Sequence, residues 1–321
     1  MNFGARLKAF LAAHWVYNRF LPVAVAVWLV TLFALGQFLP LHGVAAAALL
    51  VFAFWSDGSR KFGRILFPFL LFVIVYDSMR WYADFIRAPE IHTRPPYDFD
   101  KTLFGIREGG EVLTPNEWTQ RHTVAFLDFV CGLAYTPLFF VGETVAILIA
   151  LYFQGRQRWA ERFVWVFVWA NFLGYTLYYW YPAAPPWYVA NHGFLVDLSV
   201  RANAAGALRF DKLVGAPLME GFYGHSADVF GAIPSLHIVY PFIATVYSWR
   251  MPRVRWLALG YWLLVCFSAV YLNHHYLLDI FIGLGIALTS MWAARALFGP
   301  AQFEAEKPAA AAPVAAQSAA A

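Results

Sequence analysis

Two short stretches carry side chains able to do chemistry at phosphorus. The first is Gly231-Ala232-Ile233-Pro234-Ser235-Leu236-His237, which opens an apolar segment. Proline suits the first turn of a helix, where its missing N–H costs nothing. The free backbone N–H groups of such a turn, with the Ser235 hydroxyl beside them, form a site for an anion such as phosphate. His237 follows within the same turn. The second stretch is Tyr271-Leu272-Asn273-His274-His275-Tyr276-Leu277-Leu278-Asp279. His275 and Asp279 are four residues apart and share a face if the stretch is helical. A carboxylate bonded to one imidazole nitrogen fixes the tautomer and leaves the other nitrogen free to attack. His274 meets Leu278 at the same spacing and is the weaker nucleophile. A single histidine near a membrane surface is ordinarily an interfacial polar residue. Two histidine motifs, one with an aspartate at helical spacing and one at a Pro-Ser helix start, point instead to phosphoryl transfer.

The elements that position these motifs are membrane segments. Of 321 residues, 61% are hydrophobic and 13% charged, against about 45–50% and about 25% in soluble domains. Mean hydropathy is +0.56. A spanning helix needs about 20 apolar residues. The pattern predicts eight spans, near 21–40, 42–55, 65–84, 124–152, 163–182, 232–249, 255–273 and 276–296. Trp and Tyr gather at segment ends, as in Trp180, Tyr181, Trp187 and Tyr188, which fits the interfacial preference of these rings.

Lysine and arginine placement sets the orientation. Arg6, Lys8 and Arg19, then Arg60, Lys61 and Arg64, then Arg156, Arg158 and Arg162, then Arg250, Arg253 and Arg255 all fall on one side of the eight-span map. That side is the cytoplasm. The two long loops, 85–123 and 183–231, and both histidine motifs fall on the other side. Both termini are then cytoplasmic, and the site is periplasmic or luminal. The net charge of +4 is distributed over these connectors, so it reads as topology and not as nucleic-acid binding. Cys131 and Cys266 both sit in apolar segments, and no zinc-ligand spacing is present.

The chain divides into a basic amphipathic interfacial segment (1–20), a transmembrane hairpin (21–55), a six-helix catalytic membrane domain (56–298) and an Ala/Pro-rich disordered tail (299–321). The fold class is all-α and polytopic.

The motif Pro234-Ser235-Leu236-His237 followed by His274-His275-Tyr276-Leu277-Leu278-Asp279 resembles the type-2 phosphatidate phosphatase superfamily, which has a six-helix bundle. Three further stretches are similar to its inositol phosphorylceramide synthase branch, the aureobasidin-resistance family. These are Asp77-Ser78-Met79-Arg80, the run from Tyr97-Asp98 to Leu103-Phe104-Gly105, and Tyr181-Pro182-Ala183-Ala184-Pro185-Pro186-Trp187-Tyr188. The similarity runs in order over about residues 65–290. The resemblance implies that His275 is the nucleophile and forms a phosphohistidine, that Asp279 orients it, and that His237 protonates the leaving group. It implies that Ser235 contacts the phosphate, that the donor is phosphatidylinositol and that the acceptor is ceramide. No cofactor and no metal are expected.

The chain departs from that superfamily in two places. The Lys-x6-Arg-Pro motif of many of its phosphatases is replaced, after the fifth span, by YPAAPPWY. An Arg87-x6-Arg94-Pro95 spacing occurs two spans earlier, from which Arg94 can still reach the site. The Ser-Arg ahead of the nucleophile reads Ser268-Ala269 here. Arg80 is therefore the first candidate to meet the phosphate charge, with Arg201, Arg209 and Lys212 behind it. Asp77 and Arg80 are three apart, which suits an ion pair and polyol recognition equally. Tyr181 and Trp187 lie in a Pro-rich stretch that reads either as a lipid-facing cover over the site or as a rigid interfacial loop. Asp128 and Glu143 are candidates for the bundle interior with no assigned role. If water replaces the lipid acceptor, the same site is a phosphatase or phosphodiesterase. A channel or transporter is the non-enzymatic alternative, but no internal repeat is present to favour it.

Overall fold

A computed structural model describes residues 16–38, 40–224 and 229–299. The N-terminal part of the interfacial segment and nearly all of the Ala/Pro-rich tail lie outside the described residues. The chain forms two compact units, Met1–Leu71 and Phe72–Ala321.

In the first unit, α1 (Val16–Ala34) and α2 (Pro40–Phe54) pack as a hairpin. Leu21 and Val25 of α1 bury against Ala46, Leu49 and Ala53 of α2. Small residues on α2 let the larger α1 side chains approach. Helix α3 (Asp57–Ile86) begins in this unit and ends in the second. Ser56 and Ser59 cap its start reciprocally, each hydroxyl accepting from the other's backbone N–H at 3.1 and 2.9 Å.

Past the end of α3, the second unit continues with a loop and a small layer of short elements. This layer holds α4 (Arg94–Phe104), a hairpin of β1 (Ile106–Glu108) and β2 (Glu111–Leu113), and α5 (Pro115–Arg121). The strands pair antiparallel with Glu108 opposite Glu111. This hairpin is a departure from the all-α expectation. Gly109 and Gly110 both have positive φ and supply its turn. Then come α6 (Ala125–Ala134), α7 (Pro137–Phe153), α8 (Gln157–Trp180) and the short α9 (Pro186–His192). A 3-10 turn at Ala205–Ala207 leads to α10 (Leu208–Val214) and α11 (Leu218–Tyr223). Helices α12 (Leu236–Ser248), α13 (Arg255–Tyr271) and α14 (Leu277–Phe298) complete the unit.

Helix α12 is central, packed by α7, α8, α13 and α14. Two glycines permit this. A Cβ at Gly283 of α14 would lie 2.8 Å from the Ser235 carbonyl oxygen, and one at Gly174 of α8 would lie 2.7 Å from the Leu236 side chain. Both contacts are at the start of α12, so these glycines let two helices pack closely against the histidine motif.

The outward faces are apolar. Leu138, Val141, Val145 and Ile149 on α7, Trp256 and Leu257 on α13, and Phe281, Leu288 and Trp292 on α14 are all exposed. Apolar surface of this extent matches a lipid surround. The span lengths differ from the sequence expectation. Among the described residues, one helix is long and apolar enough to cross a bilayer by itself, over Leu277–Leu297. The expected 124–152 span is broken instead into α6 and α7, bent by 43°. Thr136-Pro137 lies at the break, where proline cannot continue the hydrogen-bond ladder of a preceding helix. Helix α12, with 13 residues, is only about 20 Å long at 1.5 Å per residue. It is short because chain entering it from Gly231 to Ser235 is non-helical and is used to build the site.

Candidate active site

The site forms where three chain ends meet: the start of α12, the turn between α13 and α14, and the end of α11. Helix α12 begins at Leu236 with Ser235 as its N-cap, so Pro234 precedes the helix and does not lie in its first turn. The Ile233–Pro234 peptide is cis. The Ser235 N–H donates to the Asp279 carbonyl at 3.0 Å, which ties the two motifs together through backbone. Ser235 is fully buried, and its Oγ has no hydrogen-bond partner among the described residues. A buried hydroxyl without a partner is costly unless a ligand completes it.

Helix α13 ends at Tyr271, and Asn273 takes φ of +61°, a left-handed conformation that asparagine tolerates better than most residues. This reversal lets the N–H groups of His274 and His275 both reach the Ala269 carbonyl at 3.0 Å. His275 therefore sits before α14 and not on it. Asp279, in the first turn of α14, reaches back across the helix start. Its Oδ2 accepts from the Tyr276 N–H at 3.0 Å and lies 3.1 Å from Nδ1 of His275. The Ala232 carbonyl lies 3.0 Å from the same Nδ1. A carboxylate and a carbonyl can only accept, so Nδ1 carries the proton and Nε2 carries the lone pair. Burial holds the His275 imidazolium down to about 4, with the Ala232 carbonyl acting in the other direction, so the ring is neutral at neutral pH.

Nδ1 of His237 lies 3.4 Å from Nε2 of His275. Both side chains line a cavity of about 100 Å³, together with His274, Trp187, Tyr223 and Asn203. His274 is turned away from reaction. Its Nε2 lies 3.0 Å from the Ala204 carbonyl, and burial and the neighbouring His275 take its titration down to about 3. A larger cavity, of about 460 Å³, is lined by Asn273 and Tyr276. The 273–276 turn thus alternates between the two cavities.

The other sequence-derived candidates separate. Trp187 lines the histidine cavity, and its backbone N–H donates to the Asn273 carbonyl at 3.1 Å. Tyr181 instead stacks on His92, with ring centroids 3.8 Å apart. Arg94 lies over the Phe194 ring at 4.2 Å. Neither Tyr181 nor Arg94 lines the histidine cavity. Arg209 pairs with Asp128, Nε to Oδ1 at 2.6 Å, and also donates to Gln120 at 2.9 Å. That pairing gives Asp128 a partner and engages Arg209 structurally. Arg201 and Lys212 are exposed. The backbone at Asp77 and Arg80 is helical within α3, but their side chains lie outside the described residues. Among the described residues, no lysine or arginine lines the histidine cavity, and Ser235, though partnerless at Oγ and close to that cavity's Ala232 in sequence, is not in its lining.

Two supporting residues were not singled out from sequence. Asp100 of α4 is fully buried, and its two oxygens accept from the N–H groups of Leu277 and Leu278 at 2.7 and 3.0 Å. It caps the helix that holds Asp279, from 177 residues away. Burial raises its carboxyl to about 6, against the opposing effect of the two N–H groups. Asn116 of α5 donates from Nδ2 to the carbonyls of Val270 and His275 at 3.1 and 3.0 Å, clamping the turn from behind. The Thr114-x-x-Glu117 capping box that starts α5 is a readable signal for that helix. Nothing in the sequence pattern ties α4 or α5 to the 270–278 region. Removing both Asp100 acceptors leaves two part-buried N–H groups unpaired. Asp100→Ala is expected to destabilise the protein by about 1–2 kcal/mol, read as a fall in thermal midpoint in detergent, with a fall in kcat from the loosened α14 start.

The site's geometry defines a class. The family model described as the PAP2 superfamily matches residues 109–293, which includes both histidine motifs, and the chain belongs to that superfamily. Among its relatives, a phosphoinositol dihydroceramide synthase of Bacteroides thetaiotaomicron is 36% identical over 251 residues, covering 77% of this chain and 81% of the relative. An inositol phosphorylceramide synthase of Candida albicans is 32% identical, covering 52% of this chain and 36% of the relative. The inositol phosphorylceramide synthase catalytic subunit of Saccharomyces cerevisiae is 27% identical, covering 67% and 52%. The chain thus spans most of the bacterial relative and about a third to a half of these fungal ones. No solved structure matches it.

Proposed function

We propose that this protein is a membrane phosphotransferase that moves inositol phosphate from phosphatidylinositol to a ceramide-type lipid through a phosphohistidine on His275. The observation that carries this is the polarity of the histidine pair. Nδ1 of His275 is held by Asp279 and Ala232, and its bare Nε2 faces His237 over a small cavity. The names of the relatives support the choice of donor and acceptor.

Nε2 of His275 attacks the phosphodiester phosphorus, and the bond to the diacylglycerol oxygen breaks. His237 gives that oxygen a proton. The negative charge of Asp279 stabilises the imidazolium formed on His275. The ceramide hydroxyl then loses its proton to His237 and attacks phosphorus, releasing His275. One histidine serves as acid and then as base, as microscopic reversibility requires. Ser235 and the N–H groups at the α12 start hold the phosphoryl oxygens. Trp187 covers the cavity against bulk water. Arg80 and Asp77 are the proposed head-group contacts from α3.

In the membrane, the proposed arrangement is a six-helix catalytic bundle over residues 56–298. A transmembrane hairpin (21–55) and an interfacial segment (1–20) precede it, and a disordered tail (299–321) follows. Both termini are cytoplasmic and the site opens on the periplasmic or luminal side. The clustering of basic residues in the short connectors supports this orientation.

The deciding experiment presents purified protein in mixed micelles with head-group-labelled phosphatidylinositol, with and without ceramide, beside His275→Ala. Label moving to ceramide only with wild type supports the transferase. Label released as water-soluble inositol phosphate makes the enzyme a hydrolase at the same site. Equal inertness of both proteins towards every phospholipid donor overturns the site.

The pH dependence follows from burial of the nucleophile. His275 must be neutral to attack, and its titration lies near 4. The acid limb of kcat/KM is therefore expected near pH 4 and not near 6.5, where an exposed imidazole titrates. Initial rates between pH 4 and 8 in a fixed micelle composition check this.

A further inference from the structure

Tyr223 ends α11 beside the reacting pair, and no sequence motif marks it. Its hydroxyl lies 2.9 Å from the Tyr135 carbonyl oxygen and 3.3 Å from Nε2 of His237. A carbonyl can only accept, and a phenol has one proton. The shorter contact therefore takes that proton, and the hydroxyl oxygen faces Nε2 of His237 as an acceptor. We propose that Tyr223 is a positioning residue for His237: it accepts the Nε2–H and so assigns Nδ1, the nitrogen facing His275, to carry the proton that is transferred. The inference rests on the proposed general acid–base role of His237.

The fold explains why this hydroxyl is held there. The break at Thr136-Pro137 ends α6, and the Phe139 N–H bonds to the Thr136 carbonyl, one residue beyond Tyr135. That leaves the Tyr135 carbonyl to be met by Tyr223. The start of α11 is fixed by buried Asp211, whose oxygens accept from the N–H groups of Met219 and Glu220 at 2.8 and 2.9 Å. The Tyr135 ring stacks on His237 with centroids 4.8 Å apart and resists rotation of the imidazole. His237 has no carboxylate among its described contacts, so the neutral phenol oxygen takes the place that Asp279 fills for His275.

The proton balance is complete without any further group. In the first step His237 is an imidazolium with both nitrogens protonated. As the bond between phosphorus and the leaving oxygen breaks, the Nδ1 proton passes to that oxygen. The neutral ring keeps its Nε2–H on Tyr223. In the second step the acceptor hydroxyl bonds to phosphorus, the bond from phosphorus to His275 breaks, and the hydroxyl proton goes to Nδ1. The phenol proton stays on Tyr223 throughout.

The test compares Tyr223→Phe with wild type on two donors: phosphatidylinositol, and an inositol phosphodiester whose leaving group is 4-nitrophenol. On the lipid, the variant is expected to lose about tenfold or more in kcat with KM changed by less than about twofold. Its alkaline limb should move to lower pH, because the imidazolium has lost an acceptor. On the nitrophenyl donor the leaving group needs little protonation, so the burst of nitrophenolate should fall by less than about threefold. An equal loss on both donors, or an unmoved alkaline limb, overturns the inference. His237→Ala is run in parallel. If its losses are also equal on both donors, the general-acid reading itself fails. If only Tyr223→Phe behaves that way, the inference alone falls. Histidine ¹⁵N spectra of wild type, with His237→Gln for assignment, give a reading that needs no tyrosine variant to fold: a neutral His237 lacking a proton on Nε2 overturns the inference.

Discussion

His275→Ala is expected to stop transfer to ceramide outright while leaving the protein folded. The loss should exceed the about 10²–10⁴-fold that a general acid or base supplies, because the covalent route itself disappears with the nucleophile. The substitution removes a ring whose partners are an aspartate and a carbonyl that stay tied to backbone. Asp279 keeps the Tyr276 N–H, and Asn116 still holds the carbonyl of residue 275. Size-exclusion behaviour in detergent should therefore match wild type. The measurement is acid-sensitive, alkali-stable label on protein after rapid quenching with phosphate-labelled donor. Wild type should show a transient labelled species and His275→Ala none. A labelled intermediate that persists in the variant places the covalent bond elsewhere, and His274, in the same cavity, is the first residue to examine.

His237→Ala is expected to lower turnover by about 10²–10⁴-fold, with the loss in kcat and little in KM. One imidazole acts in both half-reactions, so neither step escapes the loss. Phosphoenzyme should still form, slowly, since Nε2 of His275 keeps its lone pair, its tautomer and its aspartate. The two variants thus differ in kind: one lacks the intermediate, and the other makes and consumes it slowly. Single-turnover quench experiments separate them. Equal rates of intermediate formation in wild type and His237→Ala would remove His237 from the first step.

What the sequence alone determined about this protein is what depends on local spacing and on bulk composition. The apolar content and basic connectors called for a membrane chain, and Pro234-Ser235-Leu236-His237 with His275-x3-Asp279 marked the groups proposed to react. The His275–Asp279 pair survives even though the expected geometry does not. His275 lies ahead of α14, and Asp279 reaches it across the helix start instead of along a helix face. Four residues of separation keep two side chains close in either conformation, which is why the spacing was informative.

Only the tertiary structure decided which polar groups support that pair, because those contacts join residues far apart in the chain. Asp100 caps α14 from 177 residues away, and Asn116 reaches the His275 carbonyl across 159. Tyr223 meets His237 where the proline break after α6 leaves the Tyr135 carbonyl for a hydroxyl 88 residues further along the chain. Tyr181, Arg94 and Arg209 were plausible from position, but packing commits them to His92, Phe194 and Asp128. Local spacing fixes which side chains can meet along a helix. Which carbonyls and N–H groups are left for them to satisfy is set by how helix ends are brought together, and no period in the sequence encodes that.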